Sequence, residues 1–285
     1  MLSPAELGLL SRLDLAYRRP VAGLYAGERR SPRAARSPEF ADFRPYVPGD
    51  DFRQIDWRAY ARLERLMLRL YVAEEESSLN LLVDASSSME VGEPPKWRTA
   101  RKLAAALAFL GLAGMDRVAV GVLGRPRQRT PHLRGRDGLG RVVRFLEEVE
   151  TGGSASPEQV TRLEWPRPGM TVVISDFLTE ASWAPAAAAL RRRRQEPLFW
   201  QVLAPDEERP VLTGDWKLLE AESDDKRELT ITAEIVGEYL ANLAEHRQRL
   251  RRAAEASGGR MLHTLSSDEV EAEMSAALAA GVIKR

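Results

Sequence analysis

The chain has 285 residues, 44% of them hydrophobic, which is enough to bury one large core. Its 42 basic and 42 acidic side chains give a formal net charge of zero, so the overall charge does not favour a nucleic acid as partner. There is no cysteine, and the three histidines, His132, His246 and His263, are far apart in sequence, so a zinc site is not expected.

The chain shows no pattern typical of a membrane-spanning or secreted protein. Its longest uncharged apolar stretch, Leu103 to Met115, is shorter than the ~20 residues that a membrane-spanning helix needs. The N-terminus has no basic region followed by an apolar core, as a secretory signal would have. Together with the lack of cysteine, this composition leads us to expect a cytoplasmic protein with no membrane span.

Residues 1–76 differ in pattern from the rest and are expected to form a separate N-terminal module. Leu2 to Tyr17 is predicted to be an amphipathic helix, and Arg18 to Pro38, rich in Arg, Gly, Pro and Ser, is predicted to be a loop. A Pro48-Gly-Asp50 turn then joins two aromatic-bearing flanks, and Leu66 to Val72 is strand-like. The module is therefore predicted to be rich in β-structure after its first helix.

Residues 77–285 alternate between apolar strands and long helices. The predicted strands are Leu79–Val83, Arg117–Leu123, Thr171–Ser175, Leu198–Leu203 and Arg260–Thr264. The predicted helices are Lys96–Gly114, Leu139–Glu150, Ala184–Arg194, Ile235–Ser257 and Ser267–Ala280. Residues 217–221 and 229–233 are predicted to pair as an edge hairpin. The alternation predicts an α/β fold with a doubly wound, mostly parallel sheet.

The segment from Asn80 to Met89 carries the clearest chemical signal. An apolar strand ends in Asp84, and the hydroxyls of Ser86 and Ser88 follow at alternate positions. A carboxylate and hydroxyls at the carboxyl end of a buried strand are hard oxygen donors, which suit Mg²⁺ better than softer metals. The sequence therefore predicts a magnesium site here, with Mn²⁺ or Ca²⁺ as alternative ions.

Two further segments are expected to meet Asp84 at the same edge of the sheet. The strand Thr171–Ser175 is followed directly by Asp176, and Thr151-Gly-Gly-Ser-Ala-Ser156 is a glycine-rich loop that carries small hydroxyls. Ligands of open α/β sheets collect beyond the carboxyl ends of the strands, where such loops converge.

These residues resemble a known family pattern. The triplet Asp84-x-Ser86-x-Ser88, the hydroxyl after paired glycines and the strand-terminal Asp176 look like the metal-ion-dependent adhesion site of von Willebrand factor A domains. The segments from Phe43 to Trp57, with its Tyr-x-Pro-Gly-Asp-Asp core, and from Ala59 to Glu76 resemble the prokaryotic domain-of-unknown-function family number fifty-eight. The resemblance covers nearly the whole chain and implies a Rossmann-like domain whose relatives often accompany MoxR-type AAA+ ATPases.

The resemblance also implies a role for each residue. Ser86 and Ser88 would bind Mg²⁺ directly, and Asp84 and Asp176 would act through water or orient bound waters. Ser154 would be the third-loop ligand, that is, the ligand supplied by the glycine-rich loop 151–156, at a position where the family usually has threonine. Thr151 and Ser156 are the alternatives. The remaining metal position would accept an acidic residue from a protein partner.

Two functions follow as hypotheses. The first is a non-enzymatic, Mg²⁺-dependent protein-binding module that assists a MoxR-type ATPase in protein assembly or remodelling. The alternative is a Mg²⁺-dependent phosphoesterase or other hydrolase that uses strand-end carboxylates. Against the alternative, the position two after Asp84 is a serine, and Lys96 is the one lysine beside a candidate loop. No Gly-Lys-Ser/Thr phosphate loop is present, so ATP hydrolysis by this chain is not expected.

Overall fold

The computed structural model describes residues 2–16, 21–26, 40–74, 77–124, 128–164, 167–210, 214–219 and 226–284. The chain divides into two compact units. One unit contains residues 1–17 and 77–285, and the other contains residues 18–76.

The larger unit has the alternating order that the sequence predicts. Its strands are β1 (Asp14–Leu15), β5 (Ser78–Asp84), β6 (Arg117–Leu123), β7 (Gly169–Ser175), β8 (Gln195–Leu203), β9 (Gly214–Leu219), β10 (Lys226–Ile231), β11 (Arg260–Leu265) and β12 (Ile283–Lys284). Its helices are α1 (Pro4–Leu10), α3 (Lys96–Ala113), α4 (Gly138–Glu148), α5 (Pro157–Thr161), α6 (Ala184–Arg192), α7 (Pro205–Glu208), α8 (Ala233–Ala256) and α9 (Val270–Ala279). The five predicted strands and five predicted helices are confirmed to within a few residues, whereas the short helices α5 and α7 were not predicted.

Five of these strands form one parallel sheet in the order β11-β8-β7-β5-β6. The chain leaves β5 for β6 on one side and later returns to β7 on the other side, so the winding direction changes between β5 and β7. This doubly wound, parallel arrangement confirms the predicted fold class. The predicted hairpin also forms, but β9 and β10 pair antiparallel in a sheet of their own.

Apolar layers cover both faces of the sheet, which explains why its strands are continuously hydrophobic. Leu81 and Val83 of β5 point into the larger layer, which includes the small side chains of the alanine-rich helix α3. Leu82 points to the opposite layer, with Trp183 before α6 and Leu250 of α8. Every residue of β5 and of β7 is buried, so both strand ends are held firmly between the layers.

The first 17 residues group with this larger unit, whereas the sequence prediction assigned them to the N-terminal module. The predicted helix Leu2–Tyr17 is shorter in the structure: Ser3 caps α1 through the Glu6 backbone N–H, and the helix ends at Leu10. Leu10 and Leu15 are buried in the larger apolar layer, and β1 pairs with β12. Burying these two leucines therefore stabilises the chain more than continuing the helix would.

The second unit is rich in β-structure, as predicted. Its elements are β2 (Val21–Ala26), β3 (Phe40–Pro45), α2 (Trp57–Leu63) and β4 (Met67–Glu74). The strands form an antiparallel sheet with β4 in the centre. The prediction of a loop from Arg18 to Pro38 is wrong for β2, whose pairing with β4 overrides its weak strand pattern. The rest of that prediction, residues 18–20 and 27–38, lies outside the described residues.

A buried carboxyl group lies in helix α9 of the larger unit. Glu273 is almost fully buried, and neither of its carboxyl oxygens has a hydrogen-bond partner among the described residues. Burial, reinforced by the charges of Asp268, Glu269 and Glu6, raises the pKa of Glu273 to about 8, although the charge of Lys102 acts in the opposite direction. The folded chain therefore holds this proton up to about pH 8, while an unfolded glutamate releases it several units lower.

Replacing Glu273 with glutamine should stabilise the chain at neutral pH, because an uncharged amide can be buried without taking up the proton that the carboxyl must bind on folding. The free energy of unfolding of the unaltered chain should fall as pH rises from the pKa of an unfolded glutamate towards 8, because the unfolded state releases the proton first. We expect Glu273→Gln to raise the free energy of unfolding by ~1–3 kcal/mol at pH 7 and to leave it unchanged near pH 4. Urea unfolding across pH measures this, with the exposed Glu271→Gln of the same helix as control. A gain that does not change with pH would contradict the prediction.

Candidate metal centre

The candidate site lies where the winding direction of the sheet changes. Strands β5 and β7 are neighbours, with Val83 opposite Ile174. Asp84 is the last residue of β5, and Asp176 directly follows β7. The structure thus brings together the two carboxylates that the sequence analysis placed at strand ends, at the position where open α/β sheets bind ligands.

Asp84 is buried, with 2% of its surface exposed, and both of its carboxylate oxygens accept hydrogen bonds. Oδ1 accepts the backbone N–H of Ser86 at 2.8 Å, and Oδ2 accepts the hydroxyl of Ser175 at 2.6 Å. Ser175 in turn accepts the backbone N–H of Phe177 at 2.9 Å. Burial, together with the charge of Asp176, raises the pKa of Asp84 to about 6. Asp84 therefore acts as a fixed carboxylate that orients the loop after β5.

The two serine hydroxyls and Asp176 form a continuous row of oxygens. Ser86 Oγ lies 3.0 Å from Ser88 Oγ, and the Ser88 hydroxyl donates to Asp176 Oδ2 at 2.9 Å. The other carboxylate oxygen of Asp176 accepts the backbone N–H of Leu178 at 3.0 Å. The predicted ligands Ser86, Ser88 and Asp176 are therefore neighbours in space, with Asp84 behind them.

The glycine-rich loop 151–156 packs against the same segment. The Gly152 N–H donates to the Ala85 carbonyl at 2.6 Å, and the Ser87 N–H donates to the Gly153 carbonyl at 3.2 Å. Gly153 has a φ of +71°, and a Cβ there would lie 2.6 Å from the Gly124 carbonyl oxygen, so a side chain would push the loops apart. Glycine therefore permits this loop to reach the end of β5.

The third-loop hydroxyls differ in their surroundings. Ser154 is exposed on the loop beside the Ser86–Ser88 segment. The Thr151 hydroxyl already donates to Glu90 Oε1 at 2.8 Å. Ser156 precedes helix α5. Of the three alternatives, these surroundings favour Ser154 as the third-loop ligand, and the assignment stays a prediction.

Three residues of the site were missed in the sequence analysis. Ser175 fixes Asp84, as described above, and the signal for it in the sequence was its position at the end of β7, directly before Asp176. Lys96 was noted in the sequence only as a lysine near a loop. In the structure its Nζ donates to Asp176 Oδ2 at 2.8 Å and to Glu207 Oε1 at 2.5 Å. Glu207 lies in the short helix α7, which is too short for a periodic apolar pattern to predict.

The donor set fits a hard divalent cation. Its members are hydroxyl and carboxylate oxygens from neighbouring strand ends, which is the chemistry that Mg²⁺ prefers. Within the described ranges, no group of three or more His, Cys, Asp or Glu side chains is arranged to hold a metal. A metal at this site would therefore depend on the serine hydroxyls as well as on the carboxylates.

Comparison with known families gives a match over most of the chain. The model of the family described as "Protein of unknown function DUF58" matches residues 42–249. The uncharacterized protein Rv1480 of Mycobacterium tuberculosis is 29% identical over 268 residues, which cover 91% of this chain and 84% of that protein. This similarity extends over both units of the chain.

Solved structures with a similar fold are more distant in sequence. The von Willebrand factor A (VWA) domain of SpRpn10 is 9% identical, with a TM-score of 0.40, over 70% of this chain and 94% of that one. An aerotolerance-related membrane protein from Bacteroides fragilis is 18% identical, with a TM-score of 0.42, over 70% and 96% respectively. At this level of identity the likeness concerns the fold alone.

The expected cytoplasmic location is contradicted by these comparisons. Two of the solved structures that this chain matches, one from Bacteroides fragilis and one from Vibrio fischeri, are described as membrane proteins. Neither the lack of cysteine nor the lack of a signal pattern determines a compartment. Over the part of the chain that the structure describes, no helix combines the length and the apolar character needed to cross a bilayer.

Replacing Ser175 with alanine should destabilise the chain, because the buried carboxylate of Asp84 would lose a hydroxyl donor. We expect a loss of ~1–3 kcal/mol in the free energy of unfolding at pH 7.5. Urea denaturation measures it, and the exposed Ser275→Ala in α9 is the control, for which little change is expected. A loss for Ser175→Ala no larger than that of the control would show that Asp84 does not depend on this bond.

Proposed function

The chain belongs to the DUF58 family, and we propose that it is a Mg²⁺-dependent protein-binding module whose metal lies between the ends of β5 and β7. In this proposal the Ser86 and Ser88 hydroxyls are direct ligands, with Ser154 as the third-loop ligand. Asp84 and Asp176 act through bound water. Mn²⁺ and Ca²⁺ are alternative ions with the same preference for oxygen ligands.

The row formed by Ser86 Oγ, Ser88 Oγ and Asp176 Oδ2 carries the proposal. Successive oxygens lie 3.0 Å and 2.9 Å apart, so they can serve one small ion together. The row is also rigid, because the backbone of Ser86 is held by Asp84 and that of Ser87 by Gly153. A preorganised set of oxygens loses little conformational entropy when it binds a cation or a partner.

The chemistry of the site points to an acidic group on the partner. A bound Mg²⁺ supplies positive charge and a coordination position that a carboxylate can enter. The Ser86 and Ser88 hydroxyls are neutral ligands, so they leave most of that charge available to an incoming carboxylate. Asp84 and Asp176 balance the remaining charge from behind.

The surroundings of Asp84 and Lys96 support binding in preference to hydrolysis. A phosphoesterase would need a carboxylate free to attack, but both oxygens of Asp84 are engaged by Ser86 and Ser175. It would also need a cation facing the phosphate. Lys96 is fully buried, and its ammonium is engaged by Asp176 and Glu207. Neither group is therefore available for the alternative reaction.

The partner in this proposal is a MoxR-type AAA+ ATPase, with which the chain would work in protein assembly or remodelling. This choice of partner rests on the family resemblance of the Tyr46-x-Pro48 to Trp57 signature and of the Asp84-x-Ser86-x-Ser88 triplet.

Replacing Ser88 with alanine should weaken metal binding, because it removes one direct ligand. We expect the Kd for Mn²⁺, measured by the loss of its free electron paramagnetic resonance signal, to rise at least ~10-fold. Ser87→Ala is a closely matched control, because Ser87 lies between the two proposed ligands. Equal affinities for the two variants would argue against direct ligation by Ser88.

Replacing Asp84 with asparagine should reduce partner binding while keeping the shape of the site. With the purified MoxR-type ATPase of the same organism, we expect the unaltered chain to bind in Mg²⁺ and not in chelator. Asp84→Asn should weaken binding at least ~10-fold. The exposed Asp137→Ala is the control, and binding by biolayer interferometry is the measurement. The proposed function would be overturned if the affinity for the ATPase were the same with Mg²⁺ and with chelator, and the same for the unaltered chain and Asp84→Asn.

A further inference from the structure

A lysine lies beside the candidate site in a position that is costly for a cation. Lys96 is the first residue of helix α3, and 0% of it is exposed. Burial disfavours the charged ammonium, and the N-terminus of a helix favours anions over cations. Helix formation and core packing therefore give no reason for a lysine at this position.

The neighbouring carboxylates compensate that cost. Asp176 Oδ2 lies 2.8 Å from Nζ and Glu207 Oε1 lies 2.5 Å from it. Burial acts to lower the pKa of Lys96, but these two carboxylates outweigh it and raise that pKa. Glu207 is itself positioned, because its Oε2 accepts the Ala204 N–H at 2.8 Å. The ammonium therefore lies between two positioned carboxylates at this edge of the sheet.

The ammonium also shares an oxygen with the candidate metal centre. Asp176 Oδ2, which Lys96 contacts, is the atom that accepts the Ser88 hydroxyl. A divalent cation on Ser86 and Ser88 would therefore share this carboxylate oxygen as a neighbour with the ammonium. Like charges that share a neighbour in a partly buried site repel each other.

We propose that Lys96 is the resident cation of the site: it neutralises Asp176 and Glu207, keeps the strand ends assembled without a metal, and weakens metal binding. This inference rests on the proposed function. Its consequence is that a metal is held firmly only when the carboxylate of a partner joins it, so the metal and the partner bind together. The positioning role of Lys96 thereby makes metal occupancy depend on the partner.

Lys96→Met removes the charge and keeps most of the side-chain volume. In chelator we expect this variant to unfold at a lower urea concentration than the unaltered chain, because Asp176 and Glu207 are left buried without a cation. Mn²⁺ should restore its stability and should bind at least ~10-fold more tightly than to the unaltered chain. Lys96→Arg should behave like the unaltered chain. Lys102→Met is the control on the same helix α3. It breaks the 2.6 Å ion pair of Lys102 with Glu6 of α1 and should leave the Mn²⁺ affinity unchanged.

Unchanged Mn²⁺ affinity in Lys96→Met, or an equal loss of stability with and without Mn²⁺, would overturn the inference and make Lys96 a structural ion-pair partner only. Should Lys96→Met fail to fold even with Mn²⁺, Glu207→Gln provides the opposite test. It leaves the ammonium less compensated, so Mn²⁺ should bind more weakly, by ~3-fold or more, and unchanged binding would overturn the inference.

The Ser88→Ala variant separates this inference from the proposed function. If Mn²⁺ binds the unaltered chain in a Ser88-dependent way and Lys96→Met changes nothing, only the role of Lys96 is wrong. If neither the unaltered chain nor Lys96→Met binds Mn²⁺, both the metal centre and the role of Lys96 are wrong.

Discussion

The site depends on one buried hydrogen bond, from the Ser175 hydroxyl at the end of β7 to the Asp84 carboxylate at the end of β5. The bond joins the two strands between which the winding direction of the sheet changes. With one carboxylate oxygen held by the neighbouring strand, the other is directed to the Ser86 backbone. The position of the following hydroxyls is therefore set by the sheet itself, whose strand ends are buried between two apolar layers.

The loops around this bond are held mainly by backbone contacts. Loop 151–156 approaches closely because glycines at positions 124 and 153 leave room for the carbonyl groups that meet there. The Ser154 side chain of this loop is exposed, and small hydroxyls suit a loop that packs so tightly. Small hydroxyls also explain how a site with only two predicted carboxylates could bind a divalent ion, because the remaining donors are neutral oxygens that need little space.

Lys96 and Glu207 change how the site is understood. The row of oxygens alone resembles an open acidic site that would draw a metal from solution. A buried ammonium on Asp176 means that much of this negative charge is already compensated. A hydrolase would need a carboxylate and a cation that face the substrate. In the binding function that we propose, the ammonium would instead link the metal to the partner, because the positive metal and the partner's carboxylate each offset the charge that the other brings.

From the sequence alone we could predict the alternation of strands and helices, the doubly wound sheet, and the position of Asp84 and Asp176 at the ends of buried strands. These predictions follow from local apolar patterns, because a strand that ends in a carboxylate can be recognised in the sequence, whereas the family was identified from its motifs. The folded structure was needed to show that residues 1–17 pack with the α/β unit, that Val21–Ala26 is a strand, and that the Lys96 ammonium lies between Asp176 and Glu207. These contacts join residues far apart in the chain. Their energies come from burial and charge compensation in the folded state, which no local periodicity records.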